Sequence, residues 1–287
     1  MKKVSLVLLT LFSAGSLFAQ VNVIVSLVPQ QTFVKKIGGE KVNVTTMVKP
    51  GSDPHSYEPK PSQMIAVSKA DIYFPIKIEF ENAWLDRFKE QNKKMQFIEM
   101  TKGVSFMDMP KHESLDGEED KEHHHHESFD PHTWVSPSNV KIMAKNIFTA
   151  LSQKDPKNTA YYRLNYKKFI DEINATDIQI KKILSHTPKG SKFMVFHPSW
   201  AYFAKEYDLV QFAIEFEGKE PKPRMLAKII DKAKEENIKA IFAQKEFSDK
   251  SAKAIARELG IKVIKETPLA ENWSENLLKM ANAIANN

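Results

Sequence analysis

Three histidines stand beside prolines, in Asp53-Pro54-His55, Asp130-Pro131-His132 and His197-Pro198. Imidazole is the commonest protein metal ligand, and three of them suit zinc when a fold brings them together. Proline fixes its own backbone and biases the preceding residue toward extended geometry, so loops stiffened in this way hold ligands at little ordering cost. Asp53 and Asp130 each stand two residues before a histidine. From there a carboxylate can accept the second ring N–H and orient the imidazole. The chain has no cysteine, so any transition-metal site rests on His, Asp, Glu and water.

A second group of histidines has a different character. Segment 107–128 contains His112 and the run His123-His124-His125-His126 among eight acidic residues, with almost nothing apolar. Such a segment cannot bury enough surface to offset its ordering entropy, and a mobile loop is expected. Its histidines suit weak metal capture at several sites. His186 falls at the end of a long helical pattern, where a cation favours the helix dipole, and is read as structural. Tyr57, Trp134 and Trp200 are candidates either to wall a site or to pack the core.

The elements that must position these residues follow an alternating pattern. Short apolar strands are expected at 21–28, 42–48, 71–76 and 95–100, with helices at 31–37, 62–69 and 82–90 between them. Ser136-Pro137 reads as an N-cap followed by a first-turn proline and opens a helix to about Ser152. From Asp155-Pro156 to Ser185 no proline or glycine intervenes, and Tyr162, Tyr166, Phe169, Ile173 and Ile180 recur at helical spacing, so one long stiff connector is expected. The alternation then resumes, with strands at 192–196, 209–216, 240–243 and 262–264 and helices at 200–207, 224–236, 249–259 and 275–285.

The fold class expected is α/β, with two lobes that each hold a four-stranded parallel sheet flanked by helices. The division is a leader at 1–19, an N-terminal lobe at 20–154, a linker helix at 155–187 and a C-terminal lobe at 188–287. Each of the three histidines then falls at the carboxyl end of a strand or just before a helix, where open parallel sheets bind ligands.

Met1-Lys2-Lys3, the apolar run from Val4 to Phe12 and Ala19-Gln20 have the order of a secretory signal, with a cut expected after Ala19. Lipid anchoring of an exported protein needs a cysteine, so a free periplasmic protein is expected. The formal charge of +6 is spread along the chain without an arginine cluster, which gives a nucleic-acid role no support.

Asp53-Pro54-His55-Ser56-Tyr57-Glu58-Pro59, Phe129-Asp130-Pro131-His132-Thr133-Trp134-Val135-Ser136-Pro137, Val195-Phe196-His197-Pro198-Ser199-Trp200 and Glu217-Gly218-Lys219-Glu220-Pro221 resemble the metal-binding solute-binding proteins of bacterial ABC importers. The resemblance covers nearly the whole chain after the leader. It implies two lobes bridged by a rigid helix, metal in the cleft between them, and a membrane permease with its cytoplasmic ATPase as partners. A monomer is expected.

Manganese relatives generally carry a carboxylate where this chain has His197, and an aspartate where it has Thr267. His55, His132 and His197 are therefore the ligands expected, and three imidazoles favour Zn²⁺ over the oxygen-loving Mn²⁺. Water is the first choice for the fourth position, with Glu58, Glu266 or a loop histidine behind it. High-affinity periplasmic zinc capture for an importer is the leading function, with no enzyme activity. A manganese carrier of the same family is the alternative. A three-histidine zinc hydrolase is disfavoured because no His-Glu-x-x-His helix supplies a general base.

Overall fold

The computed structural model describes residues 20–109, 129–215 and 220–286. The leader and residues 110–128, which include His112 and the four-histidine run, lie outside the described residues. In the first lobe β1 (Val21–Val25), β2 (Val42–Thr46), β3 (Ile72–Phe74) and β4 (Gln96–Phe97) form a sheet in the order β2-β1-β3-β4. Helices α1 (Val28–Gly38), α2 (Pro61–Lys69) and α3 (Glu79–Gln91) alternate with them. After α4 (Pro137–Lys154) and α5 (Thr159–Ile183), the second lobe repeats the plan with β5 (Lys192–Val195), α6 (Ala201–Glu206), β6 (Val210–Ala213), α7 (Pro223–Glu235), β7 (Ala240–Ala243), α8 (Lys250–Leu259) and β8 (Lys262–Lys265). Its order is β6-β5-β7-β8, and every strand pair in both sheets is parallel. The last helix, α9, spans Trp273–Ala285. No helix among the described residues is long and apolar enough to cross a membrane.

The connector is a helix of 25 residues, about 38 Å long at ~1.5 Å per residue, extended by 3-10 turns at Pro156–Asn158 and Leu184–His186. Tyr162, Phe169, Ile173 and Ile180 form its buried stripe. Ser136 caps α4 by accepting the Asn139 N–H at 3.2 Å, with Pro137 in the first turn.

The first-lobe strands stop earlier than their apolar runs. β1 ends at Val25 because Gln30 captures the backbone beyond it, its Oε1 accepting the Ser26 and Leu27 N–H groups at 3.0 and 2.8 Å. That frees Val28 and Pro29 to open α1.

The two lobes do not have wholly separate cores. The larger apolar cluster joins the first sheet, α4, α5 and α9 to Phe193, Val195, Trp200 and Phe203 of the second lobe. Trp273 of α9 packs edge-on against Phe33 of α1 at 5.7 Å and against Phe169 of α5 at 6.5 Å. The C-terminal helix therefore crosses back to the first lobe and stiffens the join. A smaller cluster holds α7 and α8 on the second sheet.

One buried acid lies beneath the cleft. Glu81 of α3 accepts hydrogen bonds from the Ser26 hydroxyl, from the Ile76 N–H at 3.0 Å and from the Lys77 N–H at 2.8 Å. These bonds hold Lys77 in the left-handed region, φ 66°, and so shape the turn from β3 into α3. Burial pushes the Glu81 carboxyl up to about 7, against the opposing hydrogen bonds from Ser26, Ile76 and Lys77. The folded chain thus binds this proton more tightly than the unfolded chain. The resulting stability is fully present below about pH 4.5 and is lost as pH rises to about 7. Glu81→Gln, which mimics the protonated form, is expected to flatten the fall in Tm of metal-free protein between pH 5 and 8. An unaltered slope would count against this assignment.

Candidate metal centre

His55, His132 and His197 converge between the lobes. His55 lies in the loop from β2 to α2, His132 lies just before the 3-10 turn that leads into α4, and His197 follows β5 by two residues. The Nε2 atoms of His55 and His197 are 3.2 Å apart, and those of His197 and His132 are 3.3 Å apart. One ligand atom from each of the three lies within 4.8 Å of the others. Two zinc–nitrogen bonds of about 2.05 Å at the tetrahedral angle place their nitrogens about 3.3 Å apart, so the observed pairs have the spacing that zinc requires.

Each imidazole is held from behind by a carboxylate. His55 Nδ1 is 2.6 Å from Glu79 Oε2, His132 Nδ1 is 2.7 Å from Asp130 Oδ1, and His197 Nδ1 is 2.6 Å from Glu215 Oε1. A carboxylate at Nδ1 keeps the proton there and leaves the Nε2 lone pair for a ligand. The three lone pairs therefore face one another, backed by three acids. Asp130 Oδ2 is buried with no hydrogen-bond partner among the described residues. Concentrated negative charge and facing nitrogen lone pairs both fit a divalent cation.

Burial sets the protonation of the rings apart. It holds His197 down to about 4, against the hydrogen bond that its Nδ1–H donates to Glu215 and with the aid of the neighbouring His132, so this ring is neutral at physiological pH. Burial also works against charge on His55, but the hydrogen bond and charge of Glu79, with Asp53 and Glu215, outweigh it and raise its pKa. His132 and His197 are 2% and 5% exposed, whereas the His55 side chain is 22% exposed. Of the three rings, His55 is therefore the one that solvent reaches most.

The two Asp-Pro-His triplets do different work. Asp130 accepts both the backbone N–H of His132, at 2.9 Å, and its ring. Asp53 accepts the backbone N–H of His55 at 2.9 Å and the Ser56 hydroxyl at 2.7 Å, so it shapes the loop and leaves the ring to Glu79. Glu58 is exposed, and neither it nor Glu266 joins the cluster. Glu266 is partly buried, and that burial raises its pKa. Thr267 turns its hydroxyl to Glu246.

Trp134 lines the site, with its indole N–H donated to the Pro268 carbonyl at 2.9 Å. Tyr57 instead packs on Phe80, and Trp200 on Phe203. Tyr202 of α6 ties the lobes together. Its hydroxyl accepts the Met107 N–H at 2.9 Å and donates to the Asp130 carbonyl at 2.8 Å, anchoring the segment that carries His132.

Sequence reasoning missed Glu79, Glu215, Gln244 and Phe247. Glu79 is 24 residues from His55 and Glu215 is 18 from His197, so no local spacing joins them. What they share is position. Glu79 opens the helix after β3, Glu215 follows β6, and Gln244 and Phe247 follow β7. Treating every polar residue after a strand's carboxyl end as a candidate would have found Glu79, Glu215 and Gln244, whereas apolar Phe247 carries no such signal.

Two parallel α/β lobes with a histidine cluster between them define a metal-binding solute-binding protein of the ABC transporter type. A family model described as ZnuA, "Zinc-uptake complex component A periplasmic", matches residues 23–287, and the chain belongs to this family. A structure titled "Crystal structure of ZnuA" is similar with TM-score 0.84 and 41% identity, covering 93% of this chain and 98% of that one. The high-affinity zinc uptake system protein ZnuA of Bacillus subtilis is 29% identical, over 87% of this chain and 79% of its own length. The manganese ABC transporter substrate-binding lipoprotein scaA of Streptococcus gordonii is 28% identical, over 88% of this chain and 80% of its own. These relatives are named as transporter components, not as enzymes. The chain is thus the extracytoplasmic substrate-binding component of an ABC metal transporter, whose partners are a membrane permease and an ATPase.

Proposed function

We propose that this protein captures Zn²⁺ in the periplasm and delivers it to its importer's permease, with His55, His132 and His197 as the imidazole ligands. The observation that carries this reading is the convergence of three imidazoles, with the His55–His197 and His197–His132 Nε2 pairs at 3.2 and 3.3 Å, each ring held through Nδ1 by its own carboxylate. Nitrogen donors without a carboxylate in direct contact suit zinc, whereas manganese prefers oxygen. The work is capture and release, with no bond made or broken. Partial exposure of His55 leaves one ligand at the cleft mouth, where the permease has access.

The manganese reading draws on the name of the Streptococcus gordonii relative. Growth separates the two. A strain lacking this protein is expected to fail in chelator-treated medium and to recover with added zinc. Recovery with manganese and not zinc would reject zinc delivery.

A further inference from the structure

His132 and His197 come from different lobes, yet their Nε2 atoms stand 3.3 Å apart. The short helix α6 joins the two segments that carry them. It starts four residues after His197. The turn between is fixed by the Ser199 N–H, donated to the His197 carbonyl at 2.9 Å, and by the Trp200 N–H, donated to Gln211 Oε1 at 2.6 Å. Trp200 and Phe203 are buried in the apolar cluster that both lobes share. His197 and α6 are therefore held as one body.

This body grips the His132 segment on both sides. The Tyr202 hydroxyl donates to the Asp130 carbonyl at 2.8 Å, two residues before His132, and accepts the Met107 N–H at 2.9 Å. The Glu206 carboxylate accepts the hydroxyl of Ser136, four residues after His132, then the Ser138 hydroxyl at 2.6 Å and the Ser138 N–H at 3.2 Å. Glu206 thereby docks at the N-terminus of α4, where free N–H groups and the helix dipole favour an anion. Residues 202 and 206 stand four apart, on one face of α6. His55 is held differently, since its partners Asp53 and Glu79 both belong to its own lobe.

We propose that Tyr202 and Glu206 are positioning residues of the metal centre, and that α6 is a splint setting His132 opposite His197 before a metal ion arrives. The proposal rests on the reading of both histidines as zinc ligands and adds to it the residues that fix their separation. Neither Tyr202 nor Glu206 touches the ion. Their effect is to place the cost of ordering two ligands from two lobes on folding, so that binding does not bear it.

The test is zinc affinity by chelator competition, with amide hydrogen exchange of residues 130–138 read in the same variants. Combining Tyr202→Phe with Glu206→Ala is expected to weaken Zn²⁺ binding by about tenfold. Residues 130–138 of the metal-free double variant should exchange faster than in the unmutated protein, and added Zn²⁺ should restore their protection. Glu206→Ala alone, at a partly exposed residue, is expected to cost about threefold in affinity and carries the test should the double variant not fold. Tyr207→Phe is the control. Tyr207 directly follows α6, but its hydroxyl donates to Asp177 of α5 at 3.0 Å, so its loss should lower Tm and leave zinc affinity unaltered. The proposal is overturned if the splint variants bind zinc as tightly as the unmutated protein. It is also overturned if Tyr207→Phe weakens zinc binding as much as they do, since general loosening of α6 would then account for the loss. Failure of the ligand reading itself would show separately, as undiminished zinc affinity in His132→Ala and His197→Ala.

Discussion

His197→Ala is expected to lower zinc affinity by about 100- to 1,000-fold, because a zinc site worth roughly 10–16 kcal/mol spread over four ligands loses about 3–4 kcal/mol with one of them. His197 is the variant of choice because its Nε2 lies beside both other ligand atoms, at 3.2 and 3.3 Å. It is also buried, so solvent does not readily replace the missing nitrogen. The ring is held neutral at physiological pH, so the unmutated site loses little affinity to proton competition at this position. Competition with a chromophoric zinc chelator measures the change. An alanine variant within a few-fold of the unmutated protein would remove His197 from the ligand set.

Asp130→Ala ranks next. Asp130 holds His132 twice, through the backbone N–H and through Nδ1. Loss of a carboxylate behind a ligating imidazole costs about 10- to 100-fold in metal affinity. The buried N–H groups left without an acceptor should also reduce folding stability by about 1–3 kcal/mol. Asp53→Ala provides the contrast within the same sequence motif, because Asp53 touches only the backbone of His55 and the Ser56 hydroxyl. Its effect on zinc affinity is expected to be the smaller of the two, and Glu79→Ala the true counterpart at His55. Equal losses for Asp53→Ala and Asp130→Ala in chelator competition, with no loss of Tm for the latter, would contradict these roles.

The histidine triad was legible in sequence because its signal is local. A proline beside each histidine, a strand before or a helix after it, and an Asp-Pro-His repeat can all be read without a fold. The long α5 was legible for the same reason, since Tyr162, Phe169, Ile173 and Ile180 keep one helical stripe without a breaker. Strand ends were not, because the run from Val21 to Val28 reads as one strand until Gln30 is seen to take the Ser26 and Leu27 N–H groups. The acids behind His55 and His197 were hidden by distance along the chain. They meet the rings only because parallel strands from separate units end on one side of their sheets. The Asp-Pro-His repeat even misled, because two identical triplets suggested two identical carboxylate roles. The return of α9 to the first lobe is likewise a tertiary fact. Trp273 is an apolar residue at a helix start until Phe33 and Phe169 are placed beside it.

The most direct test of a zinc centre is the affinity of the metal-free protein for Zn²⁺ and for Mn²⁺, measured by chelator competition in one buffer at pH 7. Three imidazole nitrogens are expected to bind zinc tighter than manganese by several orders of magnitude, at one ion per cluster. Manganese binding as tight as zinc, or tighter, would contradict it.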